Sequence, residues 1–220
     1  KFTSGIRKIY DNLMNDFILE NDSGDVLGTA EFTVAKFIWA RRLCGGFVRQ
    51  LKNEKKFDLI FDAKGKEVFS LLSSELKGKQ VVIWCEFTKE IMHLKRILRS
   101  EGIACAAIFG SVSIADREKR MNLFYENELQ VLICQSKCYQ YGTDLSCADT
   151  EIYYSSPLGL ETRLQSEARL NAVDKNSILI IDLLVEDTIE EDIYESLIRK
   201  ESRQEMWRRI VQRLQRENNE

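Results

Sequence analysis

The sequence predicts a doubly wound α/β domain, a parallel sheet with helices on both faces, extended by helices at either end. Two observations predict it. Five short apolar runs recur between residues 80 and 186, and amphipathic stretches of helical period separate most of them. Strands that read as near-continuous apolar runs are buried on both faces, and helical crossovers between them imply parallel pairing.

The elements follow in order. Residues 4–19 show helical spacing through Ile6, Ile9, Tyr10, Leu13 and Phe17, with Ser4 as a cap. "ENDSGD" reads as a loop. "EFTVAKFIWARRLCGGFV" is a second helical pattern, ended near Gly45-Gly46, and "KNEKKFDLIFD" is ambiguous. "AKGKEVFSLLSSELKGK" carries Val68, Phe69, Leu72 and Leu76 on one helical face. Then "QVVIWCEF" reads as a strand, followed by a helix with Thr88 as N-cap and Gly102 as its stop. "IACAAIFG" is a strand, and the next helix is capped by Ser113. "LQVLICQ" and "TEIYYSS" are strands, "GLETRLQSEARLNAV" a helix and "NSILIIDLLVE" the last strand. "DTIEEDIYESLIRKESRQEMWRRIVQRLQREN" is one long helix or two abutting ones.

Composition narrows the function. The chain has 220 residues, 44% hydrophobic and 30% charged, as in a globular protein with a core. No apolar run reaches about 18 residues, so no membrane span and no membrane partner are expected. The chain opens on a lysine, and we expect a fragment whose upstream part is missing. Six cysteines and the single His93 offer no paired short spacing, so no metal site is predicted and the cysteines read as reduced core residues. The net charge of −3 excludes a wholly basic nucleic-acid binder. Any such role rests on local basic clusters, chiefly the tail arginines Arg203, Arg208, Arg209, Arg213 and Arg216. A solvated helix face with Trp207, Ile210, Val211 and Leu214 packed inward accounts for the same tail.

Sheets of this class bind ligands beyond the carboxyl ends of their strands. The loops there begin at Phe87, Gly110, Gln135, Ser155 and Glu186. After the third strand, Gln135, Ser136 and Lys137 leave together, Gly142 permits a tight turn and Asp144 follows. A hydroxyl, backbone amides and a lysine suit phosphates, while an ordinary surface loop explains the same spacing. Gly110 and Ser111 end the second strand ahead of a helix N-terminus that suits an anion. Asp116, Arg117, Glu118 and Arg120 read as a solvated face, with helix-surface salt bridging the default for Arg117 and contact with a ligand its alternative. Gln165 and Arg169 stand four residues apart, on one helix face. A planar guanidinium suits developing phosphoryl charge, and a surface ion pair is the alternative for Arg169.

Four stretches together resemble the C-terminal RecA-like lobe of superfamily-two helicases, closest to Swi/Snf-type DNA translocases and particularly their phage-like members. They are "KGKQVVIWCEFTKEIMHLKRIL", "IFGSVSIADREKRMNLF", "VLICQSKCYQYGTDLSCADTEIYYSSP" and "LQSEARLNAVDKNSILIIDLLVEDTIEEDIY". The resemblance implies a RecA-like fold over residues 64–186, preceded by a helical extension (1–63) and followed by C-terminal helices (187–220). It implies ATP with Mg2+ in a cleft shared with an N-terminal RecA-like lobe. No G-x-x-x-x-G-K-[ST] occurs here, so that lobe would hold most of the nucleotide, and this chain alone is expected to be inactive. Gly142, Asp144, Gln165 and Arg169 would face the nucleotide, with Arg169 as the catalytic arginine. Gly110, Ser111, Gln135, Ser136 and Lys137 would follow the phosphates of DNA, double-stranded by the Swi/Snf likeness, with Lys89 a further candidate. A cytoplasmic setting in a bacterium or phage is expected, or the nucleus in a eukaryote.

The pattern also departs from the family. Its second arginine falls on Ala172, its acidic residue on Ala168, its histidine on Asn171, its glycine on Asp174 and its glutamine on Lys175. Its glycine pair falls on Tyr139 and Gln140, and its threonine on Ser136. Three readings follow: a working motor that relies on Arg169 or a compensating Arg163, a degenerate lobe kept as a nucleic-acid or protein docking module, or an unrelated nucleotide-binding domain.

Overall fold

The computed structural model describes residues 1–15, 30–50, 53–139, 144–171 and 177–218. Two units separate: Lys1–Asp62 together with Leu184–Glu220, and Ala63–Leu183.

The first unit begins with α1 (Ser4–Asn15) and α2 (Ala30–Cys44), followed by a hairpin of β1 (Phe47–Gln50) and β2 (Asn53–Leu59). The ambiguous stretch is thus a strand, paired antiparallel with Phe47 opposite Leu59. Gly46 makes the corner between α2 and the hairpin. It sits at φ +91°, and a Cβ there would lie 1.8 Å from the Phe61 carbonyl oxygen, so only glycine fits.

The second unit starts at α3 (Ala63–Ser73) and alternates helix and strand from there, except between β5 and β6. It contains β3 (Val81–Cys85), α4 (Thr88–Ser100), β4 (Cys105–Ile108), α5 (Ile114–Tyr125), β5 (Val131–Gln135), β6 (Thr150–Tyr153), α6 (Leu160–Glu167) and β7 (Leu179–Asp182). A 3-10 turn, Ser136–Tyr139, leaves β5. The sheet is parallel, in the order β4-β5-β3-β6-β7. All five residues of the central β3 are buried, which is why it reads as an unbroken apolar run. Val81, Ile83 and Cys85 pack with Ile91, Leu94 and Leu98 of α4 and Val68 and Leu72 of α3. Val82 and Trp84, on the opposite face, pack with Met121 and Phe124 of α5. The period-2 alternation of a strand thereby sends one apolar run to two cores.

The helix ends correct one expectation. The cap of α4 is Phe87, not Thr88; the Phe87 N–H donates to the Glu90 carboxylate at 3.2 Å. Glu90 is buried and also accepts from Ser155, so the acid three residues on, rather than the threonine hydroxyl, fixes this start. Gly102 ends the helix at φ +75° and Ser113 caps α5 by accepting from the Asp116 N–H, both as expected.

The first unit closes with α7 (Ile189–Ile198) and α8 (Arg203–Asn218), so the long terminal pattern is two helices. The Ile189 N–H donates to the Tyr10 hydroxyl at 2.7 Å, and Arg7 donates to the Glu186 and Asp187 carbonyls. Buried Asp192 takes both Arg209, at 3.0 Å, and Arg213. Two of the five tail arginines are therefore structural. Met206 and Ile210 are buried on the inner face of α8, and Trp207 lies 4.3 Å, ring to ring, from Phe37.

Candidate functional site

The strand order reverses about β3, so the carboxyl ends of β4, β5 and β3 stand side by side. One side chain joins all three. The Gln135 Oε1 accepts from the Gly110 N–H at 3.3 Å, and its Nε2 donates to the Glu86 carbonyl at 3.1 Å. The Glu86 peptide is held from its other side as well, since its N–H donates to the Ser155 hydroxyl at 2.7 Å, beyond the end of β6. The Ser155 hydroxyl in turn donates to Glu90 at 2.6 Å. Four loops are thus fixed relative to one another by side chains at strand ends.

Arg117 fastens the loop after β4. Its Nε donates to the Val112 carbonyl at 3.0 Å, and its Nη2 to the carbonyls of Phe109 and Gly110 at 3.2 and 3.3 Å. The expectation of a solvated arginine is corrected: this guanidinium serves backbone acceptors that a turn leaves open.

Of the residues expected on this surface, Gly110, Ser111, Lys137 and Lys89 are exposed. Gln135 is half-buried and engaged with the loops. Ser136 is 4% exposed, and its hydroxyl has no hydrogen-bond partner among the described residues.

The second group gathers at α6. The Leu145 N–H donates to the Arg169 carbonyl at 2.9 Å, which joins the stretch carrying Asp144 to the stretch carrying Arg169. Asp144 is exposed; its carboxylate accepts from the Ser146 N–H at 2.8 Å, and its carbonyl accepts from the Tyr125 hydroxyl. Gln165 is exposed and donates to Glu161 at 3.2 Å. Arg169 is half-buried in the turn that follows α6, whose last residue is Glu167. The expected shared helix face is therefore corrected: Gln165 is helical and Arg169 is not. Gly142 and Ala172 lie outside the described residues, as do Gln140, Asp174 and Lys175.

Arg163 stands apart from both groups. Its guanidinium lies 3.4 Å from the centre of the Tyr153 ring and forks onto Asp182 at 2.6 and 2.9 Å. Its Nε pairs with Glu167. The side chain is 8% exposed. It bolts α6 to β6 and β7, and this removes it as a compensating arginine at a solvent-facing cleft.

Beneath it lies Glu151, fully buried on β6, accepting from the Trp84 indole N–H at 2.7 Å. Burial pushes its pKa up from 4.5 to about 7, against the opposing pull of Trp84 and Arg163. The unfolded chain releases this proton near pH 4.5 and the folded chain only near 7, so stability falls as pH rises across that window. Glu151→Gln keeps an acceptor for Trp84 without the charge. Urea unfolding should find it more stable than the parent chain at pH 8, by up to about 3 kcal/mol, and equal below pH 4.5. An unchanged pH dependence in the variant would assign the effect to other groups.

Comparisons with known proteins agree with this architecture. Residues 63–171 match the helicase conserved C-terminal domain. Over that stretch the chain is similar to helicase C-terminal lobes, and the relatives it matches are of the Snf2 type. It is 29% identical over 147 residues to the ATP-dependent helicase fft3 of Schizosaccharomyces pombe, covering 66% of this chain and 16% of that protein. It is 25% identical over 151 residues to the nuclear protein STH1/NPS1 of Saccharomyces cerevisiae, covering 65% and 12%. The chain thus spans under a fifth of the length of these relatives. In fold it resembles the C-terminal part of the Fun30 ATPase domain, with a TM-score of 0.67, 18% identity, and 89% and 86% of the two chains covered. It also resembles the Sulfolobus solfataricus SWI2/SNF2 ATPase core in complex with dsDNA, with a TM-score of 0.69, 15% identity, and 90% and 42% covered. The fold is RecA-like, as expected. The relatives named are eukaryotic and give no support to a bacterial or phage setting.

Proposed function

We propose that this lobe is half of a DNA-dependent ATPase that translocates on duplex DNA. The observation that carries the reading is the Gln135 bridge, which aligns three loops so that Gly110, Ser111 and Lys137 are presented together. A serine hydroxyl at Ser111 and the Lys137 ammonium at strand ends suit phosphates, which position a protein without reading sequence. The relative named as an ATP-dependent helicase and the solved core bound to dsDNA support this assignment.

ATP would lie between this lobe and an N-terminal RecA-like lobe. The residues at α6 fit a phosphate modestly: Arg169 supplies a guanidinium, and Gln165 and Asp144 supply polar groups nearby. Bound nucleotide supplies the phosphoryl group that is cleaved. This chain's part would be to place the Arg169 charge against it. Among the described residues no cluster of acids, histidines or cysteines suits a metal ion. Mg2+ and most of the nucleotide would be held by the first lobe, since this sequence has no G-x-x-x-x-G-K-[ST], and this chain alone would not hydrolyse ATP. We also propose the division 1–63, 64–186 and 187–220 as the functional one, and a nuclear setting, which the name of the yeast relative STH1/NPS1 supports.

A second reading, a docking module that no longer hydrolyses ATP, is favoured by one observation. Arg163 is consumed by Asp182 and Glu167, which leaves Arg169 with no partner arginine to offset Ala172.

Duplex DNA binding by Lys137→Gln, followed by fluorescence anisotropy over a salt series, tests the track. We expect weaker binding irrespective of sequence and a salt slope flatter by about one unit. Unchanged affinity and slope would remove Lys137 from the track.

A further inference from the structure

Strand β4 is an edge of the sheet, and its outward carbonyls are taken by arginines from both layers. Arg99 of α4 donates to the Cys105 carbonyl at 3.3 Å. Arg120 of α5 donates to the Ala107 carbonyl at 2.5 Å. Arg117 takes the next outward carbonyl, Phe109, and then Gly110. Alternate residues of a strand face the same edge, so these acceptors recur about every 6.6 Å. Lys95 adds a fourth cation. Burial first, then the positive charges of Arg99 and Arg120, lower its pKa.

Blocking an exposed edge against pairing accounts for arginines here. It does not account for the absence of counter-charge. None of these four cations forms an ion pair with any described residue. Asp116, the carboxylate beside Arg117, is turned onto the Ser113 hydroxyl at 2.8 Å. Glu101 and Glu118 are exposed neighbours in sequence and pair with none of the four. In a chain of net charge −3, carboxylates to neutralise this edge are plentiful, and they are placed elsewhere. Arg99 and Arg120 each make one hydrogen bond to the backbone and Arg117 makes three, which fixes each guanidinium and leaves others of its five donors without a described partner.

We infer that the outer edge of β4 is a second phosphate-binding strip, through which Lys95, Arg99 and Arg120 grip the backbone of duplex DNA next to the track at Gly110 and Ser111. The inference rests on the DNA-track reading above. The strip runs from the amino end of β4 to the loop that carries that track, with Arg117 as the joint. Backbone-held guanidiniums pre-organised along a line suit a regular row of phosphates better than they suit a flexible acidic peptide.

The test uses this chain with Lys95→Gln, Arg99→Gln and Arg120→Gln combined. Glutamine keeps an amide that can donate to the strand carbonyls, and thermal unfolding checks that the fold is retained. Duplex DNA binding is measured against salt, with polyglutamate as a second probe and Lys137→Gln as a parallel variant. We expect the triple variant to lose affinity for DNA and its salt slope to flatten by about two to three units, three phosphate contacts at roughly 0.9 each. Wild-type affinity and slope in the triple variant, with Lys137→Gln impaired, would overturn the strip and leave the track standing. Loss of polyglutamate binding with DNA binding intact would assign the edge to an acidic protein and also overturn it. DNA binding lost in the triple variant but not in Lys137→Gln would support the strip and move the main contact away from the strand ends.

Discussion

Arg169→Ala, in this lobe joined to an N-terminal RecA-like lobe, should lower DNA-stimulated ATP hydrolysis by about 10³ to 10⁵, the range seen when an arginine that stabilises transferring phosphoryl charge is removed. The effect is expected at the upper end because nothing replaces the lost charge. Ala172 has no charge to offer, and Arg163 is locked in the interior by Asp182, Glu167 and the Tyr153 ring. Arg169→Lys should fall between, because a lysine keeps the charge and loses the planar fork. Duplex DNA affinity should not change, since Arg169 belongs to the α6 group and not to the strand ends that Gln135 aligns. Steady-state phosphate release with and without DNA reads this directly. A loss below tenfold would mean that the charge comes from elsewhere.

Arg163→Ala should cost stability more than any other single change to a charged residue of the sheet unit, about 3–5 kcal/mol in chemical unfolding. Removing the guanidinium strands Asp182, 11% exposed, and takes away the cation packed on Tyr153. Pairing Arg163→Met with Asp182→Leu should restore most of the loss, because a buried ion pair replaced whole by apolar groups is close to neutral. The converse result, hydrolysis abolished with stability intact, would place Arg163 in the cleft and revive it as the compensating arginine.

The sheet was legible in the sequence because its strands are buried on both faces. "VVIWC" cannot alternate, and its apolar run between helical patterns fixes a parallel central strand. The hairpin at residues 47–59 was not legible, since its second strand, "NEKKFDL", carries charges that blur any period. The site was legible only as positions. Gln135 stood at a strand end as expected, but its partners Gly110 and Glu86 are 25 and 49 residues away, and no local pattern announces such bonds. Arg117 and Arg163 misled for a related reason. On a helix surface an arginine reads as solvated, and only the fold shows that open carbonyls or a buried carboxylate await it. Thr88 looked like a cap because threonine usually is one, and the acid at Glu90 decided otherwise. Arg169 looked helical by spacing, yet α6 ends two residues earlier.

Whether this lobe works in a motor can be measured directly. The direct measurement is ATP hydrolysis by this chain together with an N-terminal RecA-like lobe, without and with duplex DNA. Hydrolysis that rises on adding DNA, and is absent from this chain alone, is the predicted result. No hydrolysis in either condition, with DNA still bound through Lys137, would contradict it and make the lobe a docking module.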